Sequence, residues 1–182
     1  RLSLTMTHAV RTDGLSRRFG HTEAVRELTF EVPAGSVCAL IGPNGAGKTT
    51  TLRLLLNLLT PSAGRAEVLG VDSRALSPAV LARIGYVSEN QHLPDGMTLD
   101  QLCAYCTPFY PGWDASLAST LAARLVLPGD VPVKAMSRGM RMKAALVLAL
   151  APHPALVLMD EPFSGLDPLM REEVIDGLRA TA

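Results

Sequence analysis

Residues 42–49 have the types and the spacing that bind a polyphosphate. They read Gly42-Pro43-Asn44-Gly45-Ala46-Gly47-Lys48-Thr49, which fits the pattern G-x-x-x-x-G-K-[ST]. Glycines reach backbone angles closed to other residues, so consecutive N–H groups can point at phosphate oxygens. Lys48 supplies a charge for the β- and γ-phosphates, and the Thr49 hydroxyl can bind Mg²⁺. The stretch, extended to Thr50 at the start of a helix, predicts a nucleoside-triphosphate site.

Two carboxylates follow a later apolar run. Residues 155–159 read as a buried parallel strand, which ends in Asp160-Glu161. We expect this strand end to lie near the phosphate loop, where Asp160 can hold Mg²⁺ and Glu161 can orient and activate an attacking water. The alternative interpretation is an ordinary charged loop after a strand.

Ser137 stands before a further helical stretch and is typical of a helix N-cap. Its hydroxyl, with the N–H groups that follow, predicts an anion site at the start of that helix. A capped surface helix with solvated basic residues is the alternative, and this motif by itself does not exclude it.

The composition limits the classes of protein that remain. The chain has 182 residues, 48% of them hydrophobic, and a formal net charge of zero, which indicates one domain without a nucleic-acid footprint. No apolar stretch reaches about 18 residues, so a soluble chain is predicted. The three cysteines indicate a reducing compartment. We interpret the pair Cys103 and Cys106 as half-buried thiols rather than a redox or zinc motif.

The hydrophobic pattern predicts an α/β fold. In chain order we expect a hairpin of strands 10–19 and 23–32, a strand 36–41 feeding the phosphate loop, a helix 48–58, a strand 67–70, a short helix from Ser77-Pro78, a strand 84–88, a helical insertion 98–150 and the strand 155–159.

In their order, these motifs resemble the ATP-binding subunit of an ABC transporter. The resemblance rests on residues 42–49, the stretch around Ser137, the run ending in Glu161, and Ser164-Gly165-Leu166-Asp167. The family's second motif reads Leu-Ser-Gly-Gly-Gln. Here Ser137 and Gly139 match it, whereas the departures are Met136, Arg138 and Met140.

The resemblance implies a P-loop NTPase core with a mixed or parallel sheet, an N-terminal antiparallel β subdomain and an inserted helical subdomain. We expect one domain, 1–182, with residues of about 6–92 and 155–182 in the core and residues of about 93–154 in the helical subdomain. The chain stops before the position of the family's switch histidine, so we also expect a C-terminally truncated domain with impaired turnover.

The family's mechanism assigns further residues. Two subunits pack head to tail, and each ATP lies between the Lys48 loop of one subunit and Ser137 with Gly139 of the other. Phe19 matches the aromatic that stacks on adenine, although a core residue at a strand end is the alternative. Asp167 matches the loop that couples the two sites.

Glu89 stands where the family has a glutamine that contacts Mg²⁺ or the attacking water, and Gln91 is the second choice.

The resemblance implies ATP hydrolysis that powers transport through a separate transmembrane permease, on the cytoplasmic face of the membrane. The glutamate at position 89 favours export. Residues 89–102, with the loop 93–97, are expected to meet the permease. The alternatives are a soluble ATPase of the same superfamily, acting in translation or DNA repair, and a nucleotide-binding fragment without turnover.

Overall fold

The protein is described from a computed structural model, which covers residues 7–88, 91–161 and 172. The chain divides into two compact units, with the boundary between Leu81 and Ala82. Among the described residues, no helix has the length and apolar character that crossing a bilayer requires.

The first unit is built on an antiparallel sheet of four strands. These are β1 (His8–Phe19), β2 (Thr22–Pro33), β3 (Ala63–Val68) and β4 (Val71–Asp72), in the order β2-β1-β3-β4. The β1–β2 pairing runs from His8↔Pro33 to Phe19↔Thr22 and turns at Gly20, which has a φ of 58°. This pairing confirms the predicted N-terminal antiparallel hairpin. The alternating apolar residues of the hairpin include Val10 and Val32, which are buried.

Helix α1 (Lys48–Leu55) contacts β3 and buries Thr51, Leu52, Leu54 and Leu55. It is shorter than the predicted helix 48–58. Asn57 takes the left-handed conformation with a φ of 56°, and the Leu58 N–H donates to the Arg53 carbonyl at 2.9 Å. Asparagine is among the residues that tolerate this C-terminal geometry, so the helix ends there although leucines continue beyond it. The short helix α2 (Pro78–Leu81) begins where Ser77-Pro78 predicted it.

The predicted strand 36–41 is wrong. The structure has no regular element over these residues, and Val37 and Ile41 are almost fully exposed to solvent. An apolar β-branched sequence favours extended backbone, but a strand forms only where a neighbouring strand accepts its N–H and C=O groups. None of the described strands pairs with this segment.

The second unit contains a parallel pair, β5 (Ile84–Ser88) and β6 (Leu156–Asp160), in register from Ile84↔Leu156 to Ser88↔Asp160. Both strands lie where the sequence predicted them. Helix α5 (Arg138–Leu150) packs on β5. A Cβ built on Gly85 would come within 2.7 Å of the Ala149 carbonyl oxygen, so only glycine permits this approach.

Helices α3 (Leu99–Cys106) and α4 (Ala115–Arg124) join α5 around one apolar core, which confirms that the stretch 98–150 is mainly helical. Each helix begins at a side-chain cap. Thr98 and Gln101 form a capping box on α3, and Asp114 accepts from the Leu117 N–H of α4 at 2.9 Å. This backbone hydrogen bond is the main reason that the pKa of Asp114 lies below its usual range. The side-chain hydrogen bond with His153 lowers that pKa further.

Gly64 offers a test of how closely β3 approaches β1. Gly64 has a φ of 71°, and a Cβ there would meet the Gly14 carbonyl and lie 2.6 Å from the Asp13 carbonyl oxygen. Gly35 is a matched control, because its φ is 73° but nothing lies within 4 Å of its Cβ position. We expect Gly35→Ala to lower the free energy of unfolding by about 1 kcal/mol. Gly64→Ala should cost about 1–3 kcal/mol more.

Chemical denaturation monitored by circular dichroism measures both losses. Equal losses in the two variants would contradict the close backbone approach and leave only the left-handed conformation as the cause.

Candidate nucleotide-binding site

The loop before α1 is shaped by two left-handed glycines, Gly45 with a φ of 84° and Gly47 with a φ of 89°. Gly45 has open space around its Cβ position. Gly47 is buried, and a Cβ on it would collide with the Ala24 carbonyl oxygen and lie 3.2 Å from Val25 Cγ2. Gly45 is therefore required for its backbone angles, whereas Gly47 is required both for its angles and for the lack of space.

The Lys48 side chain folds back across this loop. Its Nζ donates to the carbonyl oxygens of Gly42 at 2.8 Å and Pro43 at 3.1 Å. Lys48 is also the first residue of α1, whose first turn contains no acidic residue, so the ammonium and the positive end of the helix dipole lie together. The arrangement favours an anion.

The other predicted loop residues surround this lysine in the same segment. Thr49 and Thr50 lie half-buried in the first turn of α1, while Pro43, Asn44 and Ala46 are exposed. The Ala46 N–H donates to the Pro43 carbonyl at 3.1 Å and closes a turn. A Cβ on Gly42 would lie 3.1 Å from the Ala46 Cβ. The loop is thus a compact turn with one face open to solvent.

Phe19 lies at the end of β1, in the same unit as the loop. The side chain is 44% exposed, and the Arg17 guanidinium carbon lies 4.6 Å from the centroid of its ring. The hairpin that carries Phe19 also supplies Ala24 and Val25, which pack against Gly47. An aromatic ring with partial exposure therefore lies on the hairpin that supports the phosphate loop. The alternative of a core residue at a strand end is contradicted by this exposure.

In the second unit, the end of β6 carries the predicted carboxylates. Asp160 is the last residue of the strand and is 6% exposed, whereas Glu161 is exposed and has a φ of 51°. A left-handed backbone is uncommon at a non-glycine residue. Ser88 pairs with Asp160, and the Gln91 Oε1 accepts from the Ser88 N–H at 3.4 Å. Gln91 and Asp160 therefore lie at the C-terminal end of the two parallel strands.

Ser137 caps α5 as predicted. Its Oγ accepts from the Met140 N–H at 3.2 Å, which leaves the hydroxyl proton for a donor bond. Ser137 is exposed, and Gly139 is buried in the first turn of the helix. Two of the predicted site residues, Glu89 and Asp167, lie outside the described residues.

The cysteine pair on α3 is half-buried, as the sequence predicts. Burial raises the pKa of Cys103 to about 11 and also raises the pKa of Cys106. Thiolates are the metal-binding and nucleophilic form of cysteine, so both side chains are poorly suited to that chemistry. Among residues 7–88, 91–161 and 172, no group of three His, Cys, Asp or Glu side chains could hold a metal ion.

The loop 93–97 is tied to the rest of its unit. The Lys134 N–H donates to the Asp95 carbonyl at 3.0 Å, and the Val133 N–H donates to the Met97 carbonyl at 2.9 Å. Leu93 and Met97 pack against the helical core, so only the tip of the loop is exposed. Its contact with a permease stays a prediction.

Arg17 is the residue beside the site that sequence reasoning missed. The signal was available, because residues two apart in a strand point to the same face and Arg17 therefore accompanies Phe19. A single arginine in a strand does not form a recognisable motif, however. The sequence also does not distinguish Arg17 from its neighbour Arg18.

The sequence profile of the family described as ABC transporter matches residues 25–164. The Nod factor export ATP-binding protein I of Ralstonia nicotianae is 33% identical over 179 residues, which are 96% of this chain and 56% of the relative. The daunorubicin/doxorubicin resistance ATP-binding protein DrrA of Streptomyces peucetius is 36% identical over 180 residues, which are 96% of this chain and 54% of the relative. The chain thus spans about half the length of these curated relatives.

Solved structures agree with this result. The structure of an ATP-binding subunit of an ABC transporter superposes with a TM-score of 0.84 at 26% identity, covering 95% of this chain and 74% of the other. A bacterial Atm1-family ABC exporter with ATP bound gives a TM-score of 0.82 at 26% identity, covering 97% of this chain and 33% of the other. The resemblance and the α/β fold class predicted from the motifs are confirmed: the chain belongs to the ABC transporter family of ATP-binding subunits.

Proposed function

We propose that the protein binds and hydrolyses ATP to power export through a separate transmembrane partner. The observation that carries this proposal is the loop shaped by Gly45 and Gly47, with the Lys48 ammonium across it at the start of α1. A cation, the helix dipole and a backbone turn are the groups that recognise a polyphosphate chain.

Each predicted side chain has a role in this proposal. Lys48 binds the β- and γ-phosphates, while Thr49 and Asp160 hold Mg²⁺, with Glu89 or Gln91 as a further contact. Glu161 acts as the general base toward water. The burial of the two carboxylates supports these separate roles. The buried Asp160 is suited to bind a metal ion, and the exposed Glu161 can reach water.

Helix α5 supports the pairing of two subunits. Ser137 is exposed at the N-terminus of α5, a helix of 13 residues, and its hydroxyl retains a proton to donate. We propose that this end binds the phosphates of an ATP held by a second subunit, in a head-to-tail dimer. Gly139 and Asp167 belong to the same interface. The division into a core (about 6–92 and 155–182) and a helical subdomain (about 93–154) belongs to this proposal.

The names of two relatives favour export, since one is an export ATP-binding protein and the other a drug-resistance ATP-binding protein. In this proposal the protein lies on the cytoplasmic face of a membrane, held by its permease. The net charge of zero is against nucleic acid as the partner.

The lysine of the loop can be tested by substitution. Lys48→Ala removes the ammonium that binds the phosphates, and we expect the Kd for ATP to rise by about 100-fold or more. Lys134→Ala is the control, because Lys134 is exposed and its interaction with Asp95 is made by its backbone. Isothermal titration calorimetry with ATP measures both variants. An unchanged affinity in Lys48→Ala would contradict the assignment of the loop.

Glu161→Gln in the full-length protein tests hydrolysis and pairing together. The amide cannot accept a proton from water, so we expect phosphate release to fall by about 100-fold or more. ATP should persist between two subunits, and light scattering should report twice the monomer mass with ATP and Mg²⁺. Glu27→Gln is the matched control at another exposed glutamate.

Adding Lys48→Ala to Glu161→Gln should return the protein to a monomer. A Glu161→Gln protein that binds ATP and stays monomeric would overturn the head-to-tail arrangement. Undiminished turnover would overturn the role of Glu161.

A further inference from the structure

We propose that Arg17 is a positioning residue for the nucleotide base, acting through Phe19. The proposal rests on the proposed function, and it requires in addition that the base of ATP stacks on the Phe19 ring, as the sequence predicts. It adds a residue to the base side of the site and names what Arg17 does there.

The geometry around the Phe19 ring has two different faces. The Arg17 guanidinium covers one face at 4.6 Å from the centroid, which is a cation–π contact. The residue is nevertheless 44% exposed, and we infer that the face opposite the arginine is the one open to solvent. A planar base can therefore stack on the open face while the arginine supports the ring from behind.

Arg17 is held in this position by more than the ring. Its Nη1 donates to the Thr60 carbonyl at 2.7 Å. The segment around Thr60 is in turn fixed to β1, because the Ser62 N–H donates to the Ser16 carbonyl at 2.8 Å and the Arg18 N–H donates to the Ser62 Oγ at 3.1 Å. The guanidinium therefore has a rigid anchor on the β1–β3 side of the sheet.

The Nε of Arg17 differs from Nη1 in having no hydrogen-bond acceptor among the described residues. This atom is buried and has no hydrogen-bond partner among the residues that the structure describes. Burying such a donor is unfavourable unless something compensates for the lost water. The guanidinium carbon lies 4.6 Å from the centroid of the Phe19 ring, whose electron-rich face can compensate a nearby cation.

The arrangement has two consequences for a bound base. Because the ring is fixed before binding, less conformational freedom is lost when the base stacks on it. The cation also draws electron density from the ring, which favours stacking with an electron-rich purine. Stacking makes no base-specific hydrogen bond, so the predicted ligand class is a purine nucleoside triphosphate in general.

Arg18 provides the matched control. It has the same charge one residue away, but its side chain is 67% exposed and its Nε lies 3.3 Å from the Glu23 carboxylate. A general attraction between arginines and the triphosphate would act through both residues. An effect transmitted by Phe19 would act through Arg17 alone.

The test compares the binding of ATP with that of inorganic tripolyphosphate, which lacks the base, in the full-length protein. We expect Arg17→Met to weaken ATP binding about threefold to tenfold, and to change tripolyphosphate binding no more than Arg18→Met does. Arg18→Met should leave ATP binding within about twofold of wild type. Phe19→Ala should weaken ATP binding about tenfold, and Arg17→Met should add nothing further in that background.

Arg17→Lys covers the case in which Arg17→Met fails to fold, which a thermal melt without nucleotide would show. Lysine keeps the charge but not the planar group, so ATP binding should weaken while tripolyphosphate binding stays at the wild-type value. Equal losses for the two ligands, equal effects of Arg17→Met and Arg18→Met, or additive losses with Phe19→Ala would each overturn the proposal.

Failure of the proposed function has a different signature. It would appear as a wild-type protein that does not bind ATP, or as Lys48→Ala binding ATP normally. The role of Arg17 fails by itself when wild type binds ATP, Lys48→Ala does not, and Arg17→Met leaves ATP binding unchanged.

Discussion

The contact between Gly47 and the Ala24 carbonyl is the constraint on which the candidate site depends. No side chain fits between these two backbone segments, and the left-handed angle of Gly47 turns the chain directly into α1. The β hairpin and the phosphate loop are thereby fixed to each other through backbone atoms. Lys48, the next residue, enters the helix at the place where its ammonium can reach back to the loop carbonyls.

The same contact explains why an aromatic residue at the far end of the hairpin can belong to the site. Phe19 and Ala24 lie on either side of one tight turn, so fixing Ala24 against the loop also fixes the position of Phe19. The second unit uses a comparable device. Gly85 allows β5 to approach α5, and the parallel register then places Ser88 beside Asp160. In each unit, a glycine without room for a side chain lets two segments that are distant in sequence come into contact.

The sequence predicted some elements well because their signals are local. Alternation defined the hairpin, a continuous apolar run defined β6, and Ser137 defined the start of α5. Other elements differ from the prediction: the strand predicted over 67–70 is β3 (Ala63–Val68), which ends before a turn at Leu69-Gly70. Leucines continue the helical pattern beyond Leu55, but Asn57 adopts a left-handed angle and ends α1. Residues 36–41 have strand propensity, yet no described strand pairs with them.

By itself, the sequence identified the family and predicted the chemistry of the candidate site, because a lysine among correctly spaced glycines and a carboxylate pair after an apolar strand are properties of residue type and order. Only the tertiary structure decided which backbone closes against Gly47, that one face of Phe19 is already occupied by Arg17, and that Gln91 folds onto Ser88 beside Asp160. The contact between Gly47 and Ala24 and the pairing of Ser88 with Asp160 join segments that are far apart in the chain. Their geometry depends on packing and register, and no local pattern of residues encodes either one.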